Sequence, residues 1–174
     1  MMIVPPLIFE TERLLVKPTT IAEAPFMLQL LNSEGWLKNI GDRKVYTEED
    51  ATAYIETKLR PQIERLGYGN FTVFHKQSKL PIGTCGLYDR DGLEGIDIGF
   101  AFLPEYFGKG YGYESAQKLF EIATGILVIK PINAITTKEN KASQKLLEKL
   151  GFMFIKTITL PNDNEELLFY STQN

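Results

Sequence analysis

The order of strand-type and helix-type runs predicts a mixed α/β fold in which helices cover both faces of one central mixed sheet. Three observations carry that reading. Runs rich in β-branched and aromatic residues alternate with amphipathic runs of helical period. Asn70 to His75 and Leu80 to Leu87 are strand-like and joined by a polar turn, which makes a hairpin. The strand-like run at Asp97, the helical run from Glu114 and the strand-like run at Ile132 form a βαβ crossover, which predicts parallel pairing of the two strands.

Arg13 to Pro18 reads as the first strand, and Thr20 to Leu31 as an amphipathic helix capped by Thr20. A second helix starts near Thr47, where Thr47-Glu48-Glu49-Asp50 resembles a capping box with acidic residues at the positive helix end. It runs toward Arg65 with a break expected at Pro61. After the hairpin, Ile96 to Leu103 is a strand stopped by Pro104, and Glu114 to Ala123 is a helix with Ala116, Leu119, Phe120 and Ala123 on one face. Ile132 to Thr137 is the next strand, and two more follow near Met153 to Thr159 and Glu165 to Tyr170. No repeat, low-complexity tract or long linker divides the chain, so residues 1–174 read as a single domain of ordinary size.

The most informative stretch is Phe107-Gly108-Lys109-Gly110-Tyr111-Gly112-Tyr113-Glu114, which lies between a strand and a helix. Alternate glycines allow positive φ and close approach to main-chain N–H groups, and the helix start adds unpaired donors and partial positive charge. Such a turn suits a phosphate. The spacing excludes a Rossmann turn, because counting from Gly108 puts Tyr113 at the last glycine position and counting from Gly110 puts Ser115 there. It also excludes a P-loop, because Gly108-Lys109 is followed by Gly110 instead of Ser or Thr.

Taken together, Pro104 to Gly112 and the later run Asn140-Lys141-Ala142-Ser143 to Glu148-Lys149-Leu150-Gly151-Phe152 resemble the GNAT superfamily of acetyl-CoA-dependent N-acetyltransferases. They match its cofactor loop and its Asn-x-x-Ser helix, in the right order. Glu10-Thr11-Glu12-Arg13-Leu14-Leu15-Val16-Lys17-Pro18 further resembles the opening strand of the branch that includes the ribosomal-protein N-terminal alanine and serine acetyltransferases. Gly41-Asp42-Arg43 and Tyr88-Asp89-Arg90-Asp91 look like features of a different subgroup of that branch. The resemblance implies a mostly antiparallel sheet of six to seven strands, in which the parallel fourth and fifth strands splay apart to admit the pantetheine arm of acetyl-CoA.

It also implies site residues. Phe102 and Leu103 fall where the family uses strand backbone to hold the pantetheine, and Leu103 would polarise the thioester carbonyl. The N–H groups of Gly108, Lys109, Gly110, Tyr111, Gly112 and Tyr113 would hold the pyrophosphate, with Lys109 adding charge if it turns inward. Phe107 stands where the family carries Gln or Arg. Asn140 and Ser143 match positions near the pantetheine and phosphate, while Asn140 reads equally as a helix cap and Ser143 as a surface residue of the first turn.

For catalysis, Asp97 shares a strand face with Gly99 and Ala101, which leave room beside its carboxylate. It matches a position where relatives carry an acid, and it is the candidate general base; an ion pair with a lysine is the alternative, and Glu94 is a weaker rival. The position of the usual general-acid tyrosine is Leu147, which leaves Tyr106, Tyr111, Tyr113, water or the substrate. Trp36, Asp42, Arg43, Asp89, Arg90 and Asp91 are the candidate acceptor-pocket residues, with Arg43 or Arg90 able to hold a substrate carboxylate or phosphate.

Other chemistries fit poorly. The lone His75 ends a strand beside Lys76, and Cys85 has no histidine close in the sequence. One histidine and one cysteine do not make an ordinary zinc site, and no metal is expected. A net charge of -3 and a pI near 5.3 argue against nucleic acid as a partner. No apolar run approaches the roughly 20 residues needed to cross a bilayer, and Met1 to Phe9 lacks a basic start and is too short for a signal peptide. The single cysteine fits a reducing cytoplasm, and a monomer or homodimer is expected. The expected activity is direct acetyl transfer from acetyl-CoA to a primary amine in a ternary complex, the amine being a protein N-terminal α-amine. A polyamine, amino sugar or amino acid is the alternative acceptor, and a non-catalytic acetyl-CoA sensor is the alternative of another class.

Overall fold

Residues 6–172 are described in the computed structural model of the chain, so the signal-peptide reading of Met1 to Phe9 lies partly outside them. The described strands are β1 (Phe9–Glu10), β2 (Leu14–Pro18), β3 (Asn70–His75), β4 (Pro81–Asp89), β5 (Ile96–Phe102), β6 (Ile132–Thr137), β7 (Met153–Ile158) and β8 (Leu167–Ser171). They form one 8-stranded sheet in the order β1-β2-β3-β4-β5-β6-β8-β7. The expected six to seven strands become eight because β1, a two-residue strand, pairs with β2; it is too short to show alternation in the sequence. Every neighbouring pair is antiparallel except β5 and β6, as the crossover predicts.

Helix α1 (Ala24–Leu31) follows a 3-10 turn over Ile21–Glu23 that Thr20 caps, with Glu23 reaching back to the Thr20 N–H. The short α2 (Glu34–Asn39) has no fully buried residue, so it carries no apolar period by which to be found. Thr47 and Asp50 form the expected capping box at α3 (Glu48–Tyr54). Pro61 does not break this helix. The chain passes through a π-helical turn at Ile55–Leu59, where the Arg60 N–H bonds the Ile55 carbonyl, into α4 (Arg60–Leu66). The widened turn accommodates the proline ring and its missing N–H.

Helix α5 (Tyr111–Gly125) begins earlier than the expected Glu114, and α6 (Lys141–Lys149) follows β6. Two apolar clusters result. Leu14, Val16, Phe71, Val73, Cys85, Leu87 and Ile98 of the sheet pack with Ala116, Leu119 and Ala123 of α5. Phe26, Met27, Leu30 and Leu31 of α1 pack with Ala51, Ile55 and Leu103.

The strand positions that alternate with the first cluster are polar and nevertheless buried: Asn70, Thr72, Thr84 and Asp97. Asn70 and Thr72 are linked through Thr19, since Asn70 Nδ2 donates to Thr19 Oγ1 (2.8 Å), the Thr19 and Thr72 hydroxyls bond each other (2.8 Å), and the Tyr88 hydroxyl donates to Asn70 Oδ1 (2.6 Å). A polar and buried sheet face has the makings of a cavity floor. β5 and β6 pair only at Ile96–Ile132 and Asp97–Asn133, while β5 continues along β4 to Phe102. Beyond Asp97 the two parallel strands therefore diverge.

Candidate active site

The glycine loop opens one wall of a groove of about 550 Å³. Gly108 and Gly110 take φ of 74° and 83°, the left-handed region that favours glycine. Gly110 is the residue before α5, and its carbonyl takes the Glu114 N–H, the first bond of the helix ladder. The N–H groups of Tyr111, Gly112 and Tyr113 precede that bond and have no intrahelical partner. Gly112 serves differently: a Cβ there would stand 3.1 Å from Leu146 of α6, so its missing side chain allows the close approach of the two helices.

Of the predicted loop residues, Gly108, Gly110, Tyr111, Gly112 and Tyr113 line the groove, as do Phe102, Asn140 and Ser143. Lys109 does not; its ammonium lies 5.8 Å from the centroid of the Tyr106 ring. Two cations that sequence reasoning missed stand on the wall instead, Lys145 and Lys149, and Lys149 Nζ sits 3.9 Å from the centre of the Tyr113 ring. Their spacing of one helical turn on the Asn140 helix was the available signal. Asn140 is the helix cap, since its side chain accepts the Ser143 N–H, and it also lines the groove.

A second cavity, of about 380 Å³, adjoins this groove. Trp36, Asn39, Ile40, Phe100, Ala101, Asn140 and Ser143 border both. The two cavities thus meet where β5 leaves β6. Trp36 Nε1 is the one buried side-chain polar atom among the described residues without a hydrogen-bond partner. An orphan donor of that kind costs about 1–3 kcal/mol, which a ligand's acceptor atom would offset.

Asp97 lies on the wall of the second cavity with 1 % of its side chain exposed. The room left by Gly99 is filled: a Cβ there would meet the Tyr88 ring at 2.9 Å and Arg90 at 3.8 Å. The partner of Asp97 is an arginine, not a lysine, for Arg90 Nε donates to both carboxylate oxygens at 2.9 and 3.0 Å. Burial raises the Asp97 carboxyl above its ordinary range, and the Arg90 charge only partly opposes this.

Leu103 does not stand where the resemblance put it. Its N–H donates to the Ile82 carbonyl (3.0 Å) and its side chain belongs to the second apolar cluster. Bonded pairs alternate along antiparallel strands, so Ala101 and Gly99 also face β4, and the N–H groups of Phe100 and Phe102 face the divergence. The backbone donor able to reach a ligand there is Phe102 or Phe100.

Arg43 and Arg90 border the second cavity, but Asp42 does not; it accepts from the Lys44 N–H and the Tyr46 hydroxyl and orders its own loop. Asp89 pairs with Arg65 (3.0 Å), and Asp91 and Glu94 are exposed away from both cavities. Leu147 reaches the second cavity with no phenol to offer, while Tyr106, Tyr111 and Tyr113 line the groove. His75 accepts from the Ser78 N–H and packs edge-on to Tyr111. Cys85 is buried, and that burial pushes its thiol up to about 12. Among the described residues no cluster of His, Cys, Asp and Glu could hold a metal ion, and no helix is long and apolar enough to cross a membrane.

Comparison with known proteins agrees with this geometry. The acetyltransferase (GNAT) domain family matches residues 13–153. The "Uncharacterized N-acetyltransferase YnaD" of Bacillus subtilis (strain 168) is 28% identical over 158 residues, covering 89% of each chain. Among solved structures, a GNAT-family acetyltransferase from Bacillus anthracis aligns with a TM-score of 0.77 at 23% identity, over 95% of this chain and 97% of that one. RimL, the ribosomal L7/L12 alpha-N-protein acetyltransferase in complex with coenzyme A, aligns with a TM-score of 0.79 at 16% identity, over 95% and 97%. At these identities the structural likenesses speak for the fold.

Proposed function

The chain belongs to the GNAT acetyltransferase family, and we propose that it moves an acetyl group from acetyl-CoA directly to a primary amine in a ternary complex, with no covalent acyl-enzyme. The observation that carries this reading is the meeting of the glycine-loop groove with the Asp97 cavity at the divergence of β5 and β6. Acetyl-CoA supplies an acetyl group already activated as a thioester. The residues of the chain would bind it and prepare the amine.

The N–H groups at the start of α5, with Lys145 and Lys149 beside them, suit a pyrophosphate. The N–H of Phe102 or Phe100 would polarise the thioester carbonyl, a contact worth about 3 kcal/mol where comparable donors have been removed. The amine attacks only after losing a proton. Asp97 is the group on the cavity wall to take it, through water because its carboxylate is nearly fully buried. Its raised carboxyl makes it a better base than an ordinary aspartate.

RimL acts on a protein α-amine, and α-amines suit this site chemically. With a pKa of about 7.7–8.0 against roughly 10.4 for lysine, they offer more neutral nucleophile near pH 7. The departing thiolate would take its proton from water or from a groove phenol such as Tyr106, since Leu147 has none. We place the enzyme in the cytoplasm. The reading is tested by following thiol release from acetyl-CoA with a panel of primary amines. Release matched by acetylated amine is expected; bound acetyl-CoA with no release on any amine would make the protein a sensor.

A further inference from the structure

The geometry points to an acceptor that carries a carboxylate close to its amine, held by the terminal nitrogens of Arg90; this rests on the acetyltransferase reading above. The Arg90 head group is fixed on two sides. Its Nε holds both oxygens of Asp97, its guanidinium carbon lies 4.7 Å from the centroid of the Tyr88 ring, and Tyr88 is itself tied to Asn70. Its two Nη nitrogens make no hydrogen bond among the described residues, and the side chain is 33% exposed on the cavity wall. A planar guanidinium held in place with its outer edge free is suited to grip a carboxylate through two parallel bonds.

The remaining charges of the cavity select the class of acceptor. Arg43, with no ion pair among the described residues, adds a second positive group, and Asp163 and Glu165 of the β7–β8 connection add negative ones. A polyamine would face two guanidinium groups, and a sugar phosphate would face two carboxylates beyond the Asp97 pair. An amino carboxylate, with one charge of each sign, matches the set.

Spacing agrees. Arg90 Nη2 lies 3.8 Å from the place where a Gly99 Cβ would stand, and the cofactor groove begins one to two residues further on, at Phe100 and Ala101. That is about 3–7 Å along the strand, the separation of amine and carboxylate in α- to γ-amino carboxylates. A polypeptide N-terminus, whose α-carboxyl is an amide, lacks the group that Arg90 is placed to hold. The acceptor is therefore a free amino acid or a short amino carboxylate.

Trp36, the only tryptophan, borders the cavity and reports binding without turnover. With CoA saturating, its fluorescence is titrated with N-acetylated derivatives of the twenty common amino acids and of β-alanine and γ-aminobutyrate, each against its primary amide. At least one free acid should bind about ten-fold or more tightly than its amide. The double variant R90Q/D97N, which removes both charges of the buried pair and strands neither, should erase the gap. Acids and amides binding alike, an unchanged gap in the double variant, or no response to any probe in a protein that does bind CoA would overturn the inference and leave the acetyltransferase reading standing. Failure to bind CoA at all would instead remove that reading and this one with it.

Discussion

Asp97 is paired with the Arg90 guanidinium and is the proposed base for the amine, and kinetics separates the two roles. If it takes the amine proton, D97N lowers kcat by about 10²–10⁴ and leaves acetyl-CoA affinity unchanged. The sign with pH follows from the raised carboxyl: the base works only when ionised, so wild-type activity falls as pH drops through that raised value, and D97N flattens this acid limb. Equal rates in variant and wild type contradict the assignment, and a rise in acceptor KM alone makes Asp97 a positioning residue for Arg90. That Asp97, Trp36, Arg43 and Arg90 line a cavity was legible because their residue types are unusual where they sit. The Leu103 assignment failed for a physical reason: which N–H faces the divergence depends on the register of β5 on β4, and a backbone group leaves no mark in the sequence.

At the scale of elements, the proposed cofactor binding depends on the start of α5. Valine at position 110 would have to adopt the left-handed backbone of Gly110 (φ 83°), a strain of about 1–2 kcal/mol or more for a β-branched residue, and its Cβ would stand 3.4 Å from Arg13 Nη2. G110V should therefore weaken acetyl-CoA at least about ten-fold while circular dichroism shows the fold retained; unchanged affinity refutes the phosphate-loop reading.

The same helix end is tied to the β1–β2 turn by Glu114, which accepts from the Thr11 hydroxyl, the Arg13 N–H (3.0 Å) and Arg13 Nε (2.7 Å). Burial raises the Glu114 carboxyl, but these bonds outweigh it and the net direction is down. A lowered carboxyl contributes stability above its unfolded value, and the contribution is lost as pH falls through the folded value. E114Q should accordingly cost about 1 kcal/mol in urea unfolding at neutral pH, since Arg13 is partly exposed, and almost nothing in acid. A difference that does not change with pH contradicts this. The long periodic elements were legible in the sequence, while β1 and α2 were too short to show a period. The π turn before Pro61 was hidden because proline signals a break whether or not the preceding turn widens to accommodate it.

Across the whole molecule, the sheet has one apolar face that packs in the core and one polar face that borders a cavity. In β3, Asn70 and Thr72 alternate with Phe71 and Val73 as they would on a strand with one wet face, yet both polar residues are buried. Period-two patterning does not distinguish a face toward solvent from a face toward a cavity, so the crossover and the glycine loop marked the groove in the sequence while the second cavity stayed indistinct. The two sides join because β5 and β6 pair at only two positions before diverging. The most direct test of the account is calorimetric titration of the intact protein with acetyl-CoA, with NAD and ATP as comparators. Selective binding of acetyl-CoA in the micromolar range is the predicted result; no binding, or equal binding of all three, would contradict the claim that this cleft is an acetyl-CoA site.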